Sequence, residues 1–190
     1  MIRKMMFAAL KNNITAPTGR IIKVSVEDDS HSTIAAWNKW VPLATHGVFK
    51  DTTGAATTIK LIEVNSVSAI VSYGYISHPV NDPDFPDAVL DANLYIELST
   101  TKNMQFQGLN PSKQYTFIFA TYPNTYDISY GQQSHILGGV QKIVANDTDA
   151  IYKCYFESVS PDASGNITYS IAGLGNSNYA FLSAFIIKEL

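Results

Sequence analysis

The stretch Asn166-Ile167-Thr168-Tyr169-Ser170-Ile171-Ala172 decides the fold class of this 190-residue chain. Apolar and polar residues alternate in it, and this period of two is that of a β-strand with one buried face. The preceding turn, Pro161-Asp162-Ala163-Ser164-Gly165, ends in a glycine that can adopt the positive φ of a hairpin. The stretch therefore predicts a half-buried strand that is entered through a tight turn.

The same signals recur on both sides of this stretch. Segments rich in Val, Ile, Thr, Tyr and Phe are separated by clusters of Gly, Pro, Asn and Asp, as is typical of strands and turns. The predicted strands are residues 21–26, 57–64, 67–73, 94–99, 103–107, 115–121, 140–145, 151–158, 166–172 and 179–188. The last of these is apolar on both faces, which predicts a central position in a sheet that is covered on both sides.

Helix signals are confined to one short segment. Residues 86–91 predict a single short helix, with Pro86 as its first residue and Phe85 packed beneath it. About ten strands with almost no helix indicate an all-β protein, an antiparallel β-sandwich or barrel.

The chain is expected to form one domain with an N-terminal arm. The arm comprises residues 1–19 and the β-sandwich domain residues 20–190. The apolar run of residues 5–10 is shorter than the core of a signal peptide, so we expect synthesis in the cytoplasm without export. The arm is predicted to dock on a partner through its apolar residues, which are Ile2, Met5, Met6, Phe7 and Leu10.

Charge and hydropathy exclude two classes of partner. The formal net charge is −3, and the two arginines of the chain are Arg3 and Arg20. Nucleic-acid binding depends on a basic face and on arginine, so we expect no nucleic-acid partner. No run of about 18 apolar residues occurs, so no membrane span is expected.

Several segments taken together resemble the galactose-binding-like jelly-roll modules found beside carbohydrate-active enzymes. The matching segments are Trp37-Asn38, residues 51–54, 85–90, 107–117, 146–148, 159–167 and 179–187, so that the resemblance covers about residues 20–188. It implies a jelly-roll β-sandwich, with Trp37 as a core residue, and it implies sugar binding as one function. Where relatives carry a Gly-Ser-Arg-like stretch, this chain reads Ala120-Thr121-Tyr122-Pro123-Asn124 and lacks the arginine.

Motifs that would indicate an enzyme are missing from the sequence. It contains no Gly-x-Ser-x-Gly elbow, phosphate loop, His-Glu-x-x-His or Cys-x-x-Cys. The four histidines, His31, His46, His78 and His135, are expected in solvated loops. Cys154 lies in a strand-like run and is expected to be buried and inert. We therefore predict a protein that is not an enzyme, with no catalytic residue and no cofactor.

A tyrosine-rich segment is the candidate recognition loop. Its candidate ligand-binding residues are Tyr122, Asn124, Tyr126, Asp127 and Tyr130. Aromatic rings offer rigid contact area and their hydroxyls offer hydrogen bonds, a combination that suits recognition on loops. The alternative is that the loop packs on its own tyrosines or on a neighbouring copy.

An acidic segment is a candidate for a structural Ca²⁺ site. Asp82, Asp84 and Asp87 could supply hard oxygen ligands. The alternative is a solvated loop with a helix start, where carboxylates favour the positive end of the helix dipole.

Two functions follow from these observations. The first is a non-enzymatic structural or adhesion protein of a tailed-bacteriophage virion, as a capsid decoration or tail-associated protein made in the host cytoplasm. Its partners would be other virion proteins or copies of itself. The alternative is an extracellular or cell-surface carbohydrate-binding module that recognises a surface or dietary glycan.

Overall fold

The computed structural model describes residues 19–27, 34–42, 44, 47–65, 70–73, 80–97, 100–122, 131–146, 150–175 and 179–190. These residues form thirteen strands and one helix. The elements are β1 (Ile21–Val26), β2 (Asn38–Trp40), β3 (Lys60–Glu63), β4 (Ile70–Tyr73), α1 (Asp87–Leu90), β5 (Ala92–Glu97), β6 (Thr101–Gln107), β7 (Tyr115–Thr121), β8 (Gly131–Leu137), β9 (Val140–Asn146), β10 (Tyr152–Val159), β11 (Ile167–Leu174), β12 (Tyr179–Leu182) and β13 (Ala184–Glu189).

The strands form two five-stranded sheets and a smaller third sheet. The first sheet has the order β10-β7-β13-β1-β2, the second β3-β6-β11-β8-β9 and the third β12-β5-β4. Neighbouring strands are antiparallel, except that β2 runs parallel to β1, with Val24 opposite Asn38. The predicted all-β sandwich of jelly-roll type is confirmed.

Aromatic side chains from the two large sheets fill the core. Phe106 of β6 contacts Phe117 of β7 at 4.9 Å between ring centroids, and it meets Phe185 of β13 at 5.5 Å. Tyr169 of β11 stacks on Phe119 of β7 at 4.2 Å with an interplanar angle of 3°. The alternation read in residues 166–172 therefore does bury one face of a strand against the opposite sheet.

The C-terminal strand lies where its composition predicts. β13 pairs with β7 on one side and with β1 on the other, and its residues 184–187 are buried on both faces. The predicted strand over 179–188 is divided, however, at Ser183. The residues before Ser183 pair with β5 in the third sheet, and those after it join the first sheet.

Two strands, β2 and β8, were not predicted from the sequence. β2 is three residues long and depends on pairing with β1, which is distant in sequence. β8 reads Gly131-Gln132-Gln133-Ser134-His135-Ile136-Leu137, and three of its polar residues are buried. A strand that buries polar side chains shows no apolar alternation, so neither element carries a local signal.

Two turns lock together at one end of the sandwich. Leu109 N donates to Gly165 O at 3.0 Å, and Leu109 is buried. Gly108 has φ +77, and a Cβ atom built there would clash with the Thr58 carbonyl oxygen. Gly165 has φ +78, as its hairpin position predicts.

A second apolar cluster covers the outer face of the first sheet. Helix α1 contributes Val89 and Leu90 to it, and Phe85 packs beneath the helix as predicted. Trp37 contacts Phe85 at 5.9 Å between ring centroids and is 8 % exposed. Trp37 is thus a core residue, and its position determines where the candidate site lies.

The N-terminal arm is outside the described residues. Its docking residues Ile2, Met5, Met6, Phe7 and Leu10 belong to residues 1–18, so the arm remains a prediction.

Candidate functional site

A cleft of about 330 Å³ opens beside Trp37 at the β2 edge of the first sheet. Its volume is at the lower end of ligand pockets, which run from about 300 to about 1,000 Å³. One wall is the segment Ala36-Trp37-Asn38, and the other is the turn Lys50-Asp51-Thr52-Thr53-Gly54. Asn38 and Lys50 are twelve positions apart in the sequence, and hydrogen bonds between them bring the two walls together.

Asn38 ties the two walls of the cleft to each other. Its Nδ2 donates to Lys23 O at 2.9 Å and to Lys50 O at 2.7 Å, and its Oδ1 accepts from Lys50 N at 2.7 Å. All hydrogen-bonding groups of the side-chain amide except one lone pair are therefore used within the protein. Asn38 is a structural residue that fixes the separation of the walls.

Trp37 enters the cleft wall from a tight turn. The backbone N–H of Trp37 donates to Ile34 O at 3.0 Å, and Ala36 adopts a positive φ of 65°. The ring is held by Phe85, and Lys23 Nζ lies 5.5 Å from the ring centroid. The indole N–H makes no hydrogen bond to any residue in the described part of the chain. It is therefore a rigidly held donor with no protein acceptor there.

The opposite wall is a rigid turn built around Asp51. Asp51 Oδ1 accepts from Thr53 N at 2.9 Å, from Thr53 Oγ1 at 2.6 Å and from Ala55 N at 3.1 Å. Its Oδ2 lies 3.5 Å from Arg20 Nε. The hydrogen bond from the Thr53 hydroxyl is the main reason that the pKa of Asp51 lies below its usual value, so the carboxylate is charged at neutral pH.

Two side chains of this turn could contact a ligand. Lys50 and Thr52 are exposed, and neither side chain makes a hydrogen bond or ion pair within the described residues. The Thr52 backbone is fixed, because its N–H donates to Ile21 O at 2.9 Å. Lys50, Thr52 and Trp37 thus line the cleft with an ammonium, a hydroxyl and an indole N–H that make no hydrogen bond or ion pair within the described residues.

The structure corrects the prediction for Tyr122. Tyr122 was expected in a recognition loop, but it is 1 % exposed and belongs to the second apolar cluster. Its N–H donates to Ser183 Oγ at 2.9 Å, and its carbonyl oxygen accepts from Asn93 Nδ2 at 2.8 Å. Its ring is packed in the core because it directly follows β7. The other predicted ligand-binding residues, Asn124, Tyr126, Asp127 and Tyr130, lie outside the described residues.

The acidic segment around Asp82 and Asp84 forms ion pairs with Lys153. Lys153 Nζ donates to Asp82 Oδ2 at 2.8 Å and lies 3.9 Å from Asp84 Oδ2. Burial disfavours the charged form of Asp82, but hydrogen bonds from Lys153 Nζ and from Asp84 N outweigh it and lower its pKa. Asp87 Oδ1 accepts from Val80 N at 3.0 Å. No group of three or more metal-ligating side chains occurs among the residues that the structure describes.

The prediction that His135 lies in a solvated loop is wrong. It lies in β8 and is fully buried. Gln133 Nε2 donates to His135 Nε2 at 2.7 Å, so the proton of the neutral ring is on Nδ1, which donates to the Tyr169 hydroxyl at 2.8 Å. Burial lowers the pKa of His135 to about 3. His31, His46 and His78 lie outside the described residues.

The expected burial of Cys154 is confirmed. The side chain is 3 % exposed, and burial raises the pKa of its thiol to about 11. A neutral, buried thiol is neither a nucleophile nor a metal ligand at physiological pH.

Comparisons with known proteins identify the fold. No family model matches the chain, and no curated protein matches it. The extracellular domain of ANXUR1 from Arabidopsis thaliana superposes with a TM-score of 0.54 at 10 % identity, over 68 % of this chain and 40 % of that one. The ectodomain of ANX2 from Arabidopsis thaliana gives 0.52 at 8 % identity, over 67 % and 41 %.

A third solved structure is TmCBM61 in complex with beta-1,4-galactotriose. It has a TM-score of 0.38 and 12 % identity, over 68 % of this chain and 86 % of that one. The chain spans about two fifths of the Arabidopsis ectodomains that it matches. At these identities the likeness concerns the fold alone, a β-sandwich.

The helix content also bears on membrane association. In the described part of the chain, no helix has the length and apolar character needed to cross a membrane.

Proposed function

We propose that this β-sandwich is a non-catalytic glycan-recognition domain and that the cleft beside Trp37 is its binding site. The observation that carries the proposal is that three residues lining the cleft have polar groups with no hydrogen bond or ion pair in the described part of the chain: the Trp37 indole N–H, the Lys50 ammonium and the Thr52 hydroxyl. Sugars present several hydroxyls at once. A site that holds donors in place before binding loses little conformational entropy when it receives them.

The titratable groups support binding without catalysis. A general acid or base must reach the substrate and have a pKa near the working pH. Among the described residues, His135 is buried and neutral, Cys154 is buried and neutral, and Asp82 is held by Lys153. These groups are parts of the core and of an ion pair, and they do not converge on the cleft.

The virion role predicted from the sequence rests on a different part of the chain. It depends on the arm of residues 1–19 and on the tyrosine loop, which are almost entirely outside the described residues. A place in a tailed-bacteriophage particle, as capsid decoration or tail-associated protein, stays a prediction. Glycan recognition rests on described atoms and is the function we put forward.

Calorimetric titration with the hits of a glycan array tests the proposal. Trp37→Phe removes the indole N–H and keeps a ring against Phe85, and Thr52→Ala removes the hydroxyl. Each is expected to weaken binding about three- to tenfold, the value of one hydrogen bond of net strength about 1 kcal/mol. Thr168→Ala, an exposed change on the second sheet, is the matched control and is expected to leave the affinity unchanged.

Three results would count against this function. One is an array with no hits for a chain that is folded by circular dichroism. Another is binding that Trp37→Phe and Thr52→Ala leave unchanged, which would remove the cleft as the site. Turnover of a glycan by the wild-type chain would contradict the non-catalytic part of the proposal.

A further inference from the structure

The cleft lies in a positive region of a negatively charged protein. Lys50 is part of its wall, Arg20 contacts the wall residue Asp51, and Lys23 Nζ lies over the wall residue Trp37. These are three of the thirteen lysines and arginines of a chain whose formal net charge is −3. A local cluster of one sign raises the concentration of ligands of the opposite sign near the site.

Asp51 does not cancel this cluster. Its Oδ1 already accepts three hydrogen bonds from its own turn, and its Oδ2 faces Arg20. Its single negative charge is opposed by three positive ones among the described residues that line the cleft or contact its walls. Lys50 makes no ion pair with any described residue, so its ammonium is available to a ligand.

The backbone segments that carry Trp37 and Lys50 are joined by hydrogen bonds, and both residues line the cleft. Asn38 follows Trp37 in sequence and binds both the N–H and the carbonyl oxygen of Lys50. The Lys50 ammonium and the Trp37 indole N–H therefore belong to backbone segments that are fused at this point. A charged acceptor strengthens a hydrogen bond to about twice that of a neutral one, and a lysine ammonium acts on it as a point charge.

We infer that the ligand of this cleft is an acidic sugar, a glycan that contains a uronate residue. This inference rests on the proposed function and specifies its ligand class. The uronate carboxylate is received by the Lys50 ammonium and the Trp37 indole N–H, in the positive field of Arg20 and Lys23. The Thr52 hydroxyl bonds a ring hydroxyl. The carboxylate of Asp51 accepts hydrogen bonds from its own turn and faces Arg20. It therefore adds no unpaired negative charge that would repel the ligand.

Titration calorimetry of the full chain with two matched probes tests this inference. The probes are an oligogalacturonate trimer and the corresponding neutral galactose trimer. We expect the acidic trimer to bind about tenfold more tightly at low salt, the effect of one charge-assisted hydrogen bond. The preference is expected to shrink when the salt is raised from about 50 mM to about 500 mM, because exposed charges are screened.

Paired variants assign the charge preference to one residue. Lys50→Gln removes the charge and keeps a polar side chain that is one atom shorter, and it is expected to bring the two probes within about twofold of each other. Lys142→Gln, an exposed lysine change on β9 of the other large sheet, is the matched control and is expected to keep the preference. Sodium acetate at the same ionic strength is expected not to compete, since it offers a carboxylate without the sugar ring.

The possible failures separate the two proposals. Equal or tighter binding of the neutral trimer, still weakened by Trp37→Phe, would overturn the acidic-sugar inference and leave glycan recognition at the cleft standing. Binding of neither probe, with no other glycan bound, would overturn both. Competition by acetate would show a general anion site, and a preference that survives Lys50→Gln would place the charge recognition elsewhere; either result overturns the inference.

Discussion

The side chain of Gln133 in β8 pairs with the backbone of Phe181 in β12 as a neighbouring strand would. Gln133 Nε2 donates to Phe181 O at 2.9 Å, and Gln133 Oε1 accepts from Phe181 N at 2.8 Å. Both residues are buried, and the pair joins the second sheet to the third. The Thr121 hydroxyl of the first sheet lies 3.1 Å from the same Nε2. One amide side chain therefore contacts all three sheets.

Removal of this amide should destabilise the fold strongly. Gln133→Leu removes the acceptor of the buried Phe181 N–H and the donor to His135 Nε2, while Phe181 O keeps the Thr121 hydroxyl at 3.2 Å. Each buried group left without a partner costs about 1 to 3 kcal/mol. We expect a loss of about 2 to 5 kcal/mol in the free energy of unfolding, measured by urea denaturation. Gln132→Leu changes the exposed neighbour in the same strand and should cost less than about 1 kcal/mol. Equal losses for the two variants would contradict the role of the pair.

His135 should make the protein less stable as the pH falls. The unfolded histidine takes up a proton near pH 6.5, whereas the buried ring in the folded state does so only near pH 3. Stability is therefore full above pH 6.5 and is lost progressively between about 6.5 and 3, by about 1.4 kcal/mol per pH unit. His135→Gln cannot titrate and should show a slope that is smaller by about one proton over this range. An unchanged slope, measured by urea denaturation at pH 6.5 and 4.5, would be inconsistent with a neutral, buried ring.

Gly108 should be intolerant of any side chain. Gly108→Ala combines a positive φ with a clash against the Thr58 carbonyl oxygen, and we expect a loss of more than about 2 kcal/mol. Gly139 also has a positive φ, of 85°, but has open space around it. Gly139→Ala should therefore cost only the conformational strain, about 1 kcal/mol. Thermal melting of the two variants checks the difference, and a smaller effect at Gly108 than at Gly139 would contradict the packing of these turns.

The acidic segment should need no calcium. Because Lys153 supplies a positive charge to Asp82 and Asp84, we expect Ca²⁺ or EDTA to change Tm by less than about 1 °C. A bound ion at about 100 times its Kd would add about 2.7 kcal/mol and raise Tm by several degrees. A rise of that size that Asp84→Asn abolishes would establish the calcium site formed by Asp82, Asp84 and Asp87.

Strands that consist of a continuous run of β-favouring residues could be predicted from the sequence. β1 and β7 have the predicted bounds because each is a continuous run of β-favouring residues between turn residues. β8 carries no such pattern, since its polar residues Gln133, Ser134 and His135 are buried and form hydrogen bonds to other strands. Tyr122 was misplaced for the same reason: its position depends on Asn93 and Ser183, which are far away in sequence.

The cleft could not be predicted from either of its walls alone. Trp37-Asn38 and the turn from Asp51 to Gly54 were both noted as segments of the family pattern, but their contact depends on the bonds between Asn38 and Lys50. A side chain that bonds the backbone of another segment leaves no periodicity in the sequence. The polar Asn38 directly after an apolar tryptophan was the one signal that could have linked the two segments.

The two tryptophans provide the most direct test of the central claim, that the cleft beside Trp37 binds glycan. The chain has two indole N–H groups, and that of Trp40 is buried and donates to Leu61 O at 3.0 Å. In a ¹H–¹⁵N spectrum the Trp37 indole peak, assigned by its loss in Trp37→Phe, should shift as the oligogalacturonate trimer, or any glycan that the array identifies, is added, while the Trp40 peak stays in place. Binding of that glycan with no movement of the Trp37 peak would contradict the account.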